Sequence, residues 1–270
     1  MAGTIERVVD VAGDERLEPY RELTRRSLET RIPELFIVEG QIALERALEA
    51  GWRPRSIVAT PTKVTVLGET VPDGVPVLEL DAAALRELVG FDFHRGCLGA
   101  FERPPVDRHP DAALVQRLAA RGRSTTVVAQ GLADPANLGA VARTARALGA
   151  DLLVADMQGA DPYERRAIRA SMGHVLALPL VCSPDLVETI TSLRRASNAR
   201  VVAATTSVTA RPLHPGRPAD HLVVLVGNEG VGLPDALVQC ADEEVEIPMA
   251  SGVDSLNVAT ALGIVLWAMR

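Results

Sequence analysis

The run Leu222-Val-Val-Leu-Val-Gly-Asn-Glu-Gly-Val-Gly-Leu233 decides the fold. Its first five residues are apolar without alternation, the pattern of a strand buried on both faces, as in a parallel sheet covered by helices. Three glycines within the next six residues let the backbone turn tightly and come close to a ligand, and Asn228 and Glu229 stand as polar side chains at the strand tip. The order G-x-x-G-x-G is not the G-x-G-x-x-G of a dinucleotide fold, and no Lys-Ser/Thr pair follows as in a P-loop. The loop reads as a binding loop or as a tight strand-to-helix turn.

Working outward, apolar strands alternate with helical patterns. Helices are expected over 111–120, 138–148 and 164–172, strands over 125–130, 151–155, 200–205 and 244–247, and a terminal helix from Ser255. The fold class is therefore α/β: a three-layer α/β/α domain on a mostly parallel sheet. Upstream, three prolines in Arg103-Pro-Pro-Val-Asp-Arg-His-Pro110 mark a seam. The chain is cut there into domains 1–106 and 107–270. The first is a smaller α/β unit. A polar amphipathic helix is expected over 14–27, strands over 35–38, 56–60, 75–80 and 97–102, a helix over 41–50 opened by Gly40 and ended by Gly51, and a helix over 81–89 capped by Asp81. Pro76 implies an edge strand or an early strand position.

With 270 residues, 47% hydrophobic and 23% charged, the composition is globular rather than disordered. The longest uncharged apolar run, 258–269, falls short of the ~20 residues that span a bilayer, and residues 1–10 do not resemble a secretion signal. Cys97, Cys182 and Cys240 stand singly, against a disulfide framework or a structural zinc, so no metal is expected and a reducing cytoplasm fits. A net charge of −7 argues against indiscriminate nucleic-acid binding. Residues 1–106 carry 13 basic and 18 acidic side chains and the remainder 15 and 17, so neither half is a basic arm. Two Trp, two Tyr and four Phe are too few for a base-stacking sheet, so any RNA contact would rest on phosphates, ribose hydroxyls and shape.

Ligands of an open parallel sheet bind beyond the carboxyl ends of the strands, which points to the loops after Gln130, Thr205, Val226 and Ile247. The first is Asp134-Pro-Ala-Asn-Leu-Gly-Ala-Val-Ala-Arg143. Asn137 there is either a helix cap or a site residue. Arg143 lies off the Leu138, Val141, Ala145 stripe, as a solvated charge or a functional one. The last, Ile247-Pro-Met-Ala-Ser-Gly-Val-Asp-Ser-Leu-Asn257, leads into a helix capped by Asp254 or Ser255, and Ser255 and Asn257 are equally compatible with capping and with a site.

Asn137-Leu-Gly-Ala-Val-Ala-Arg143, Gly227-Asn-Glu-Gly-Val-Gly-Leu233, and Ile247-Pro-Met with Ser255-Leu-Asn-Val258 resemble the three motifs of the SpoU/TrmH branch of the SPOUT RNA methyltransferases, in order and spacing over 124–270. Phe36-Ile-Val-Glu-Gly40 and the helix after it resemble, less specifically, the ribosomal-protein-like substrate-binding domain of the ribosomal members. The resemblance implies methyl transfer from S-adenosylmethionine to a ribose 2′-hydroxyl of RNA. It also implies a C-terminal trefoil knot, which general topology rules disfavour, and a homodimer with active sites at the interface. Residue by residue, Gly227, Ile247 and Leu256 would hold the cofactor through backbone groups, with Thr205, Asn228 and Met249 lining its pocket. Asn137, Arg143, Glu229, Ser255 and Asn257 would form the catalytic surface.

The family describes the arginine at Arg143 as the base. Because an arginine is effectively always protonated, a charged Arg143 that grips phosphate and stabilises a developing alkoxide is the cheaper role, and both remain open at this level. Arg165, Arg166 and Arg169 sit where the family faces RNA, and Arg21, Arg25, Arg26 and Arg31 are the candidate contacts of the acidic first domain. Ribosomal RNA is preferred as substrate on the first domain's resemblance, with transfer RNA as the alternative. The rivals are a non-catalytic RNA-binding protein that kept the fold and a class I, dinucleotide-like enzyme, the latter disfavoured by the missing glycine fingerprint.

Overall fold

The computed structural model describes residues 3–23, 31–68, 70–105, 110, 112–216, 219–228 and 230–269. They form two compact units, Met1–Pro105 with Tyr163–Ala177, and Val106–Pro162 with Leu178–Arg270. One boundary coincides with the proline seam, half of which lies outside the described residues. The assignment of Tyr163–Ala177 to the first unit departs from a single cut at 106, and side-chain contacts explain it. Tyr163 packs on Phe36 at 5.1 Å and on Trp52 at 5.9 Å between ring centroids, while Arg46 and Trp52 donate to the carbonyls of Met172 and Leu176 at 2.7 and 2.9 Å.

Five strands build the first unit: β1 (Thr4–Arg7), β2 (Leu35–Glu39), β3 (Pro54–Ala59), β4 (Pro76–Glu79) and β5 (Cys97–Glu102), in the order β1-β4-β3-β5-β2. The first three in that order are parallel, and β5 is antiparallel to both its neighbours. β1 was not anticipated, because Thr-Ile-Glu-Arg carries a single apolar residue. Its presence moves Pro76 off the edge, and Pro76 is tolerated as the first residue of β4. The helix expected over 14–27 is instead a 3-10 turn, Glu15–Tyr20, with Pro19 inside it, where a proline removes a helical donor; the residues beyond Leu23 on this stretch lie outside the described ones. Gln41–Glu49 and Ala82–Val89 form as expected, although the first ends on Ala50 with Gly51 just beyond at φ +88°, and Asp81 accepts from the amides of Ala83 and Ala84. The helix Pro61–Leu67 went unforeseen in a stretch rich in β-branched residues.

A register shift separates Pro54 from Ser56 where β3 meets β5, and Tyr20 fills it. Its hydroxyl, fully buried, donates to the Ser56 carbonyl at 2.7 Å and accepts from the Ala100 amide at 3.1 Å, while burial pushes its pKa up.

The second sheet runs β10 (Arg211–Pro212), β12 (Glu243–Glu246), β9 (Arg200–Ala204), β11 (His221–Val226), β6 (Ser124–Ala129), β7 (Leu152–Asp156) and β8 (Leu180–Ser183), and every described pairing in it is parallel. Side chains of β11 alternate between two buried faces. Val223 and Leu225 join Val128, Val154 and Val201 under the helices Ala112–Ala119, Leu186–Ser197 and Asp235–Val238. The opposite face is covered by Val258–Ala268, which touches β11, β9 and the helix Pro135–Ala147. This gives the three α/β/α layers. The helices 186–197 and 235–238 and the strands β8 and β10 were missed, β8 and β10 being short and β10 consisting of Arg-Pro alone.

Replacing Tyr20 with Phe should cost about 1–3 kcal/mol of stability, because it strands the Ser56 carbonyl and Ala100 amide in the core. Denaturant unfolding checks this; an unchanged midpoint would show that the hydroxyl is dispensable.

Candidate active site

The order β12-β9-β11-β6 makes four strands neighbours, and register aligns their carboxyl tips. Val226 lies opposite Ala129, and Ala204 lies opposite Val245. The four loops singled out in the sequence therefore leave one edge side by side. Beside three of them lies a cavity of about 470 Å³, in the range of small-molecule sites. Thr205, Gly227, Asn228, Ile247, Met249 and Leu256 all line it, as does Ser255.

The loop after β11 is built by close backbone approach. A Cβ on Gly227 would lie 2.5 Å from the Gly232 carbonyl oxygen, so only glycine lets the loop close on itself. Asn228 locks it: its Oδ1 accepts from the amides of Gly230 and Val231 at 2.8 and 3.1 Å, and its Nδ2 donates to the Gly131 carbonyl at 2.9 Å, tying this loop to the one after β6. The Asn228 side chain thus shapes the cavity wall. Thr205 similarly accepts from the Ser207 amide at 3.2 Å.

Two capping expectations are corrected. Asp134, not Asn137, caps the helix Pro135–Ala147, accepting from the Ala136 amide at 2.9 Å with proline in the first turn, as the fixed φ of proline favours. Asn257, not Asp254 or Ser255, caps Val258–Ala268, accepting from the Ala259 amide at 3.0 Å. Asn257 Nδ2 also donates to Asn137 Oδ1 at 3.0 Å, so two motifs 120 residues apart meet in one hydrogen bond. Arg143 is exposed on its helix and does not line the cavity, while Leu138, Val141 and Ala145 are buried beneath it. Glu229 lies outside the described residues, as do Arg25 and Arg26.

The sequence reading passed over Asp254 as a cavity residue, because it was read only as a cap; Asn257 holds that position. It also missed a cavity of about 310 Å³ in the first unit, lined by Glu39, Gln41, Lys63, His94, Arg95 and Arg169 among others. Glu39, 3% exposed, is held by Arg95 at 3.2 Å and Arg165 at 3.6 Å, and Arg165 also stacks on Phe91. Arg165 is thus tied into the unit, whereas Arg166 and Arg169 are exposed. Burial pushes the Cys97 thiol up to about 12, which makes it a core residue rather than a nucleophile. Among the described residues no group of His, Cys, Asp and Glu could hold a metal ion, and no helix is long and apolar enough to cross a membrane.

Residues 124–267 match the SpoU rRNA Methylase family. An uncharacterized tRNA/rRNA methyltransferase of Mycobacterium tuberculosis is 33% identical over 261 residues, 94% of this chain and 88% of its own length. The structure of the AdoMet-bound rRNA methyltransferase from Sinorhizobium meliloti aligns with a TM-score of 0.80 at 28% identity, over 98% of this chain and 97% of its own. That of an RNA 2′-O ribose methyltransferase aligns with a TM-score of 0.75 at 26% identity, over 98% of both chains. Fold, cavity and matches together define the class, an RNA methyltransferase. Within it, the chain belongs to the SpoU rRNA methylase family.

Asn228→Ala should speed hydrogen exchange at the Gly230 and Val231 amides about tenfold or more, leaving β11 protected. Unchanged exchange at both amides would mean that the loop holds its shape without that side chain.

Proposed function

We propose that this protein methylates a ribose 2′-hydroxyl of ribosomal RNA, in the cytoplasm and as a homodimer, with S-adenosylmethionine as the methyl donor. The observation that carries the reading is the cavity at the tips of β9, β11 and β12, where all six residues expected to hold the cofactor come together. The residues present fit that group. Leu233, Ile247 and Leu256 offer apolar wall for a purine, Thr205 and Ser207 offer hydroxyls, and the Gly227 loop presents backbone without side chains. When bound, S-adenosylmethionine supplies an activated methyl on a sulfonium.

The chain's own residues would do the rest. Asn137 and Asn257, joined by their hydrogen bond, fix the edge of the catalytic surface, and Ser255 adds a polar group there, while Glu229 is assigned to it on its motif position alone. Arg143, exposed and charged, grips the substrate phosphate and stabilises the oxygen as its proton leaves. Alignment of the hydroxyl with the methyl supplies most of the acceleration, without a metal. The exposed Trp267 and Ile264, on an otherwise apolar terminal helix, support the homodimer with active sites at its interface. The trefoil knot is supported by the return of the chain from β12, outside β9, to a helix lying on β11 and on Pro135–Ala147.

The first unit is proposed as the RNA-recognition domain. Lys63, Arg95 and Arg169 gather round one cavity of an otherwise acidic unit, next to the start of the helix Gln41–Glu49, whose first turn carries no acid. Ribosomal rather than transfer RNA is supported by the family description and by the Sinorhizobium relative's name.

Methyl transfer from radiolabelled S-adenosylmethionine should label ribosomal RNA and leave one linkage resistant to alkali, as a methylated 2′-oxygen cannot attack its phosphate. Arg143→Ala should lower kcat about 100-fold or more with cofactor affinity unchanged. Label on a base, or on transfer RNA alone, would contradict the proposal. Arg169→Glu should weaken RNA binding and reduce its salt slope by about one, with cofactor affinity unchanged; an unaltered slope would remove Arg169 from the interface.

A further inference from the structure

The cavity at the strand tips has a charge pattern that the family motifs do not account for. Of its described lining residues, which are glycines, aliphatic side chains, a methionine, alcohols and one amide, only Asp254 is ionisable. Asp254 is exposed, forms no ion pair or side-chain hydrogen bond among the described residues, and is not needed as a cap, because Asn257 caps the following helix. A carboxylate held at a cavity mouth without a cation is a counter-charge in waiting, and its field falls off over roughly a Debye length.

Resting on the cofactor reading above, we propose that the Asp254 carboxylate discriminates between the two charge states of the cofactor. It favours S-adenosylmethionine over S-adenosylhomocysteine and so helps to eject the spent product. The reaction changes charge at one atom. The methyl–sulfur bond breaks with its electron pair passing to sulfur, the methyl–oxygen bond forms at the ribose, and the hydroxyl proton leaves to solvent. The sulfonium becomes a neutral thioether, while the ammonium and carboxylate of the amino-acid end are untouched. The ligand therefore goes from net positive to net neutral. A single carboxylate in a cavity otherwise free of described charges feels that difference, and an apolar wall does not. Attraction to the donor is lost at the moment of transfer, which favours exchange of product for fresh cofactor.

The test is calorimetric titration of the full-length protein with S-adenosylmethionine, S-adenosylhomocysteine and sinefungin, which carries an amine where the donor carries its sulfonium. Wild type, Asp254→Asn and Asp254→Glu are compared, with thermal unfolding to verify the fold. The expected result is that Asp254→Asn lowers the preference for both charged ligands over S-adenosylhomocysteine three- to tenfold, that Asp254→Glu keeps it, and that raising salt from 50 to 500 mM shrinks it in the wild type. Equal loss of affinity for all three ligands would place the carboxylate against the common ammonium, and no change would place it away from the ligand. Either result overturns the inference while leaving the cofactor reading intact. A folded wild type that binds none of the three would overturn the cofactor reading itself, and this inference with it.

Discussion

Parallel hydrogen bonding is the constraint on which the second unit depends. It sends every strand of the sheet out at the same edge, and the order β12-β9-β11-β6 places four sequence-distant loops next to one another there. β11 is the centre of that arrangement, paired along its whole length with β6 and along Leu222–Leu225 with β9. Its all-apolar sequence is what allows it to be buried between two helical layers. From this follow the close packing of Gly227 on Gly232, the Asn228 tie to Gly131 and the Asn257–Asn137 bond. The first closes one loop on itself, and the other two tie sequence-distant loops to each other.

The first unit solves a different problem with the few aromatics available. Phe36, Trp52, Phe101 and Tyr163 cluster with centroid spacings of 5.1 to 5.9 Å, and Arg103 lies over Tyr163. Half of the eight aromatic residues are thus spent on holding Tyr163–Ala177 in that unit rather than on stacking bases. Glu39 adds a buried carboxylate between Arg95 and Arg165, an arrangement in which removing one partner leaves an uncompensated charge. Lys63, Arg95 and Arg169 line the same cavity as Glu39, so part of the unit's positive charge is gathered at one place.

The central fold was legible because its signals are strong and local: uninterrupted apolar strands, glycine-rich tips and a small-residue helix face. β5 has the bounds expected of it, and the six residues that the motifs suggested for the cofactor line one cavity. What escaped lies where the signal is weak or the answer depends on tertiary contacts. β1 has one apolar residue, β10 is two residues long, and the attachment of 163–177 to the first unit depends on rings far away in sequence. Caps were misassigned where several capping residues compete within four positions, as in Asp134-Pro-Ala-Asn137 and Asp254-Ser-Leu-Asn257, since propensity does not decide among them and geometry does.

The most direct test of the account is a crystal structure of the protein grown with S-adenosylmethionine. The account predicts cofactor density in the cavity between the Gly227–Leu233 loop and the Ile247–Leu256 segment, with Arg143 of one chain or its dimer mate facing the methyl. Density for the cofactor elsewhere on the molecule, or a saturated solution that leaves this cavity empty, would contradict it.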